Sequence, residues 1–134
     1  MARAAILVIT ALGAAALSGC GEDDPEPVQG APKQVARTIA RLQLLTERKD
    51  FQVICRELFT ADARRRAGGR DCPRLLAETG NDVRAPRIEL LSVTIDGERV
   101  RAKVRTSARG QTPVEDEIEL VRERGGYRIE SLTS

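Results

Sequence analysis

The hydrophobic period of this chain changes once, near its middle, and that change limits what the chain can fold into. In the first half, Val35, Ile39, Leu42 and Leu45 recur every three or four positions, which places them on one face of a helix. In the second half, Val100, Ala102 and Val104 alternate with Arg99, Arg101, Lys103 and Arg105. That period of two is a strand with an apolar face and a basic face. Helices followed by consecutive antiparallel strands define an α+β class, with N-terminal helices packed on a sheet of about four strands. The 134 residues allow one such domain and not two.

Local signals divide the two halves further. Pro32 suits the first turn of the leading helix. Asp50 is placed to cap a second helix, with Phe51, Ile54, Cys55 and Leu58 inward. Thr60 opens a short turn through Arg66 that Gly68-Gly69 end. Asp71 is expected to cap a last helix, with Pro73 in its first turn, Leu75 and Leu76 packing, and Gly80-Asn81 stopping it. Ile88 to Ile95 forms a β-rich run closed by a hairpin at Asp96-Gly97. In that run Ile88 and Leu90 share a face with Ser92 and Thr94, a mixture that hints at a sheet face used for association. Val114, Ile118 and Leu120 alternate with Glu115, Glu117 and Glu119, and Glu123 to Gly126 turns the chain into a final strand from Tyr127 to Leu132. Centring the loop between the two charged strands on Gly110 pairs Arg105 with Glu115, Lys103 with Glu117 and Arg101 with Glu119. On the apolar face the same register joins Val100 to Leu120 and Ala102 to Ile118.

The N-terminus reads as an address. After Arg3, residues Ala4 to Leu17 carry no charge, and the run is shorter than the roughly 20 residues that span a bilayer. A basic start, an apolar middle and small residues at the end describe a signal peptide over residues 1–19. Leu17-Ser18-Gly19-Cys20 looks like a bacterial lipobox, in which the Cys20 thiol takes a diacylglyceryl group and becomes the first residue after cleavage. Residues 20–32, rich in Pro, Gly and acids, read as a flexible tether, and residues 33–134 as the domain. The tether acids form no D-x-D-x-D-G calcium loop. The expected location is the extracytoplasmic face of the cell membrane, held by lipid.

Composition removes several function classes. The chain has no His, the commonest general base and metal ligand. Its 22 basic and 20 acidic side chains and 2% aromatics argue against a nucleic-acid partner. No Ser-His-Asp set, phosphate-cradling glycine loop or metal-ligand spacing is present, so neither cofactor nor metal is expected. With Cys20 taken by lipid, Cys55 and Cys72 remain as an even set in an oxidising location. A structural disulfide is the expected state, with buried free thiols or a redox pair as alternatives. The arginine-rich stretch from Arg56 to Arg74, which also carries Glu57, Asp62 and Asp71, reads as a solvated surface in preference to a lipid-headgroup contact.

The element order resembles that of the NTF2-like (SnoaL-like, cystatin-like) superfamily, and in particular its small lipoproteins of actinobacterial type. The resemblance rests on the lipobox, the tether, the segments ICRELFTADARRR and DCPRLL, and the closing VRERGGYRIESL. It implies a cone of helices against a strongly curved sheet. It also implies a pocket in which Asp116, sharing parity with Val114, Ile118 and Leu120, points inward, and which Tyr127 reaches. A carboxyl in such a place suits proton transfer. The expected function is nonetheless non-catalytic: a membrane-anchored domain that binds a small apolar ligand or a partner protein at the cell envelope. An isomerase or cyclase using Asp116, and a dimerising assembly module, are the alternatives.

Overall fold

The computed structural model describes residues 26–133, with side chains from Gly30 onward. The chain runs through helix α1 (Glu26–Glu47), α2 (Phe51–Val53), α3 (Ala61–Arg66) and α4 (Cys72–Gly80). Four strands follow: β1 (Arg87–Asp96), β2 (Arg99–Ser107), β3 (Val114–Glu123) and β4 (Gly126–Thr133). They form one antiparallel sheet in the order β1-β2-β3-β4. The helices cover one face of it, so the class is α+β as the change of period predicts.

Helix α1 begins before Pro32, so the expected tether gives its last seven residues, 26–32, to helix. Ala31 is already buried, together with Val35, Ile39 and Leu45. Packing of this stripe on the sheet begins two residues ahead of the expected domain start at residue 33 and draws the helix upstream. Asp50 caps α2 as expected, its carboxylate accepting from the Val53 amide at 3.3 Å. The helix then widens into a π turn over Ile54–Leu58, closed by the Phe59 amide donating to the Ile54 carbonyl. The wider turn buries Ile54, Cys55 and Leu58 together. Thr60 caps α3 by accepting from the Ala63 amide at 3.0 Å. Asp71 does not act as a side-chain cap. It ends a 3₁₀ turn, Gly69–Asp71, and α4 starts at Cys72 with Pro73 in its first turn.

The sheet bears out the expected β2–β3 register at every pair: Arg105 with Glu115, Lys103 with Glu117, Arg101 with Glu119, Val100 with Leu120 and Ala102 with Ile118. Val100, Ala102, Val104, Ile118 and Leu120 are buried against the helices. On the outer face the ion pairs are partly diagonal. Glu115 takes both Lys103, at 2.8 Å, and Arg105, at 3.0 Å, while Glu119 takes Arg99 at 2.7 Å. Diagonal neighbours lie within reach of long side chains on a twisted sheet. The Lys103 ammonium, then the Arg105 guanidinium, hold the Glu115 carboxyl below its ordinary pKa.

Strand β1 departs from the sequence reading. Its register shifts between Leu90 and Ser92, so Leu91 is the extra residue of a bulge. The bulge inverts the parity of the second half. Val93 and Ile95 pair with Ala102 and Val100 on the inner face, while Ser92 and Thr94 pair with Lys103 and Arg101 on the outer one. The mixed face inferred from Ile88, Leu90, Ser92 and Thr94 therefore does not exist, and with it goes the hint of an associating sheet. The hairpin also sits one residue later than expected. Asp96 pairs with Arg99, leaving Gly97-Glu98 as the two-residue loop. Gly97 takes φ +61° and Glu98 does not take a positive φ, which matches a turn needing glycine at its first central position.

A second bulge lies in β4. Glu119 pairs with Ser131 and Leu120 with Ile129, so Glu130 is the extra residue. Its carboxylate accepts from the Thr60 hydroxyl at 2.6 Å and from Arg66 at 3.0 Å. The Thr60 amide donates to the Ile129 carbonyl at 2.9 Å. The bulge thereby fastens α3 to the sheet, and these two hydrogen bonds, the Thr60 one foremost, lower the Glu130 pKa.

Candidate functional site

A cavity of about 380 Å³ opens between the helices and the inner face of the sheet. Leu42 and Thr46 of α1, Phe51 and Ile54, and Leu76, Thr79 and Gly80 of α4 wall one side. Ile88, Val104, Ile118, Ile129 and Leu132 wall the other. Gly80 lies against the Phe51 ring so closely that a Cβ there would come within 2.7 Å of it. A glycine as the last residue of α4 thus makes room for the Phe51 ring.

Asp116 is the one carboxylate in this lining. It points inward, as its parity predicts, because it pairs across the sheet with Val104. It is half-buried, and the Thr106 hydroxyl donates to it at 3.1 Å. The cavity therefore has mainly apolar walls, the hydroxyls of Thr46, Thr79, Thr106 and Thr133, and a single carboxylate that is already oriented by a neighbour. Such a place holds an apolar molecule by area and a donor group by direction.

Tyr127 is buried, but it does not reach Asp116. It pairs with Arg122, six residues along β3 from Asp116, or roughly 20 Å at strand rise. It lines a different concavity, a groove of about 570 Å³ between α1 and the β3–β4 turn. The expected Asp116–Tyr127 pocket is corrected on this point. Both side chains face inward, but they stand at opposite ends of the sheet, so a catalytic pair cannot form from them. Sequence parity reports the face of a strand and not the position along it.

The groove is walled by Gln34, Arg37, Thr38 and Arg41 of α1, by Glu57, and by Arg124, Gly125, Gly126 and Arg128 of the hairpin. The Thr38 hydroxyl donates to the Tyr127 carbonyl at 3.2 Å and ties the two walls together. This groove is missed in the sequence reading, although Gln34, Arg37, Thr38 and Arg41 recur at helical spacing and the turn is flanked by Arg124 and Arg128. The signal was a polar stripe, which is ordinarily a solvated face.

Cys55 and Cys72 are joined in a disulfide with Cα atoms 6.2 Å apart, and both are buried. The bridge fixes α4, with its cavity-lining residues, to the π turn. Cys20 lies outside the described residues. Among those described, no helix is long and apolar enough to cross a membrane, and no group of three or more acidic or Cys side chains is placed to hold a metal.

The arginine-rich stretch is partly neutralised: its six arginines face three acids of its own, and Arg64 and Arg70 form no ion pair among the described residues. Arg56 pairs with Glu57, Arg65 with Asp62, Arg66 with Glu130, and Arg74 with Asp71 and Glu78.

Helices on one face of a four-stranded antiparallel sheet, enclosing a cavity at one end, are the architecture of NTF2-like folds. A variant of Rd1NTF2_05 with five substitutions superposes with a TM-score of 0.56, at 19% identity, over 76% of this chain and 97% of its own. A "De novo designed NTF2 fold protein NT-9" gives a TM-score of 0.46 at 20% identity, over 75% of this chain and 82% of its own. The likeness to the first shows the fold, NTF2-like, and the fold alone. No family model and no curated protein matches the sequence.

Proposed function

We propose that this chain is a lipid-anchored, extracytoplasmic carrier or receptor domain whose cavity holds a small, mainly apolar molecule, without catalysis. The observation that carries the reading is the cavity: apolar walls on both layers and one carboxylate oriented by Thr106. The separation of Asp116 from Tyr127 leaves the carboxylate without the tyrosine hydroxyl that the enzymatic alternative pairs it with, which weighs against that alternative. The N-terminal sequence supports the anchor, since a signal-like segment ends at the box that closes on Cys20. Two acyl chains on that thiol suffice for stable attachment.

Native mass spectrometry of the full chain, extracted in mild detergent from a bacterial host, tests both parts. The reading expects a mature chain beginning at Cys20 with diacylglyceryl mass added, and a copurified small molecule lost on unfolding. An unmodified, uncleaved N-terminus would contradict the anchor. A ligand-free domain that also fails to take up neutral apolar probes would contradict the cavity's role.

A further inference from the structure

The groove beside Tyr127 has a chemistry that the cavity lacks. Four guanidinium groups, those of Arg37, Arg41, Arg124 and Arg128, line it against the single carboxylate of Glu57. Two of the four are already engaged: Arg41 pairs with Glu57, and Arg128 with Glu123 at 3.2 Å. Among the described residues Arg37 and Arg124 form no ion pair, and both are exposed. They stand on opposite walls, one on α1 and one on the β3–β4 turn. The turn itself is Arg124-Gly125 followed by Gly126, with φ +93° and +139° at the two glycines, and neither Cβ position is crowded. The glycines serve the turn and leave its backbone uncovered at the groove.

We propose that this groove is a binding site for a phosphate ester, gripped between Arg37 and Arg124. A guanidinium presents a planar fork that matches the oxygens of phosphate, and two forks from opposite walls take a group carrying several such oxygens. The concave shape raises the local field above that of scattered surface arginines. Arg41 is neutralised by Glu57, so the grip falls to Arg37 and Arg124.

The phosphate has two possible sources. A lipid headgroup is one, and its relevance rests on acylation of Cys20. Arg37 lies about 16 Å along α1 from Glu26, and six residues of chain from Cys20 to Glu26 reach at most about 20 Å more. A soluble phosphate ester is the other, and it needs no anchor.

The test uses the full chain, ¹⁵N-labelled, in uncharged detergent micelles, followed by amide and arginine Nε–H resonances. One arm adds inorganic pyrophosphate. The other dopes the micelles with phosphatidylglycerol. Saturable shifts at Gly125, Gly126 and the Arg37 side chain support the proposal, and the arm that produces them names the source. Arg37→Gln with Arg124→Gln should weaken the interaction roughly tenfold or more, as loss of charge-assisted hydrogen bonds requires. Arg37→Lys should recover only part of it, because the charge returns without the fork. Arg64→Gln with Arg70→Gln, equally charged but outside the groove, should change nothing. Absence of shifts in both arms, or equal weakening by both double variants, would overturn the proposal. Neither result depends on what the apolar cavity binds.

Discussion

The cavity and the groove share one helix and differ in nearly everything else. The later turns of α1, through Leu42 and Thr46, wall the apolar cavity, while the earlier turns, through Arg37 and Arg41, wall the arginine groove. One amphipathic helix thus serves two concavities by dividing its length between them. The lesson is that inward-facing parity does not define a site. Asp116 and Tyr127 both face the helices, yet one belongs to the cavity and the other to the groove.

Substitutions in the shared core sharpen this contrast most. Leu120 is fully buried and lines neither concavity, whereas Ile118 is buried and lines the cavity. Leu120→Ala should cost about 4 kcal/mol, because it leaves an enclosed void. Ile118→Ala should cost nearer 2 kcal/mol, at the low end of the range, because the lost volume merges with existing space. Urea denaturation of both variants checks the order, and equal losses would mean that the cavity is closed in solution.

Opening the Cys55–Cys72 bridge comes next. A 17-residue closure contributes roughly 3 kcal/mol in the chain-entropy account. Changing both residues to Ala should lower stability by about that amount. It should also loosen α4, which carries Leu76, Thr79 and Gly80 of the cavity wall. Apolar ligand binding should weaken while the groove's resonances move less, since α4 walls only the cavity and the groove takes just Glu57 and Leu58 from the π turn that carries Cys55.

A smaller effect is expected at the fastening of α3 to β4. Thr60→Ala removes both the α3 cap and the hydroxyl on Glu130, at about 1 kcal/mol for the cap. The Glu130 pKa is lowered from 4.5 in the fold. A lowered folded-state value means that its contribution is complete above pH 4.5 and is lost as pH falls through the depressed value. In Glu130→Gln the acid limb of the stability curve should therefore be flatter than in the parent, as thermal unfolding at a series of pH values would report. Least of all, Asp116→Asn should shift stability by under about 1 kcal/mol, because the amide oxygen still accepts from Thr106. Its effect belongs to ligand choice: a cationic or donor-bearing probe should lose affinity and a neutral apolar one should not.

The regular parts of the fold were legible in the sequence because each obeys one period. β2 and β3 keep strict alternation, and the Gly110 loop set their register pair by pair. In β1 a single extra residue breaks the period, although the sequence carries the trace. Its apolar residues fall into two phases, Ile88 and Leu90, then Val93 and Ile95, and the break lies at Leu91. The bulge at Glu130 leaves a similar but shorter mark, since Tyr127 and Ile129 share one phase and Leu132, paired with Ile118, falls in the other. The inward aim of Asp116 could be read, but its distance from Tyr127 could not, because that depends on where β4 starts along β3. The groove escaped notice because its two walls are some ninety residues apart in the chain, and each alone is an ordinary charged surface.

The central claim, an apolar cavity that holds a ligand, is tested most directly by titrating the full chain with N-phenyl-1-naphthylamine. This probe is neutral, so the arginine groove gives it no electrostatic hold. Saturable fluorescence enhancement at one probe per chain is expected, weakened by removal of the Cys55–Cys72 bridge and unaffected by Arg37→Gln with Arg124→Gln. Non-saturable enhancement, or enhancement indifferent to the bridge and lost with the two arginines, would contradict it.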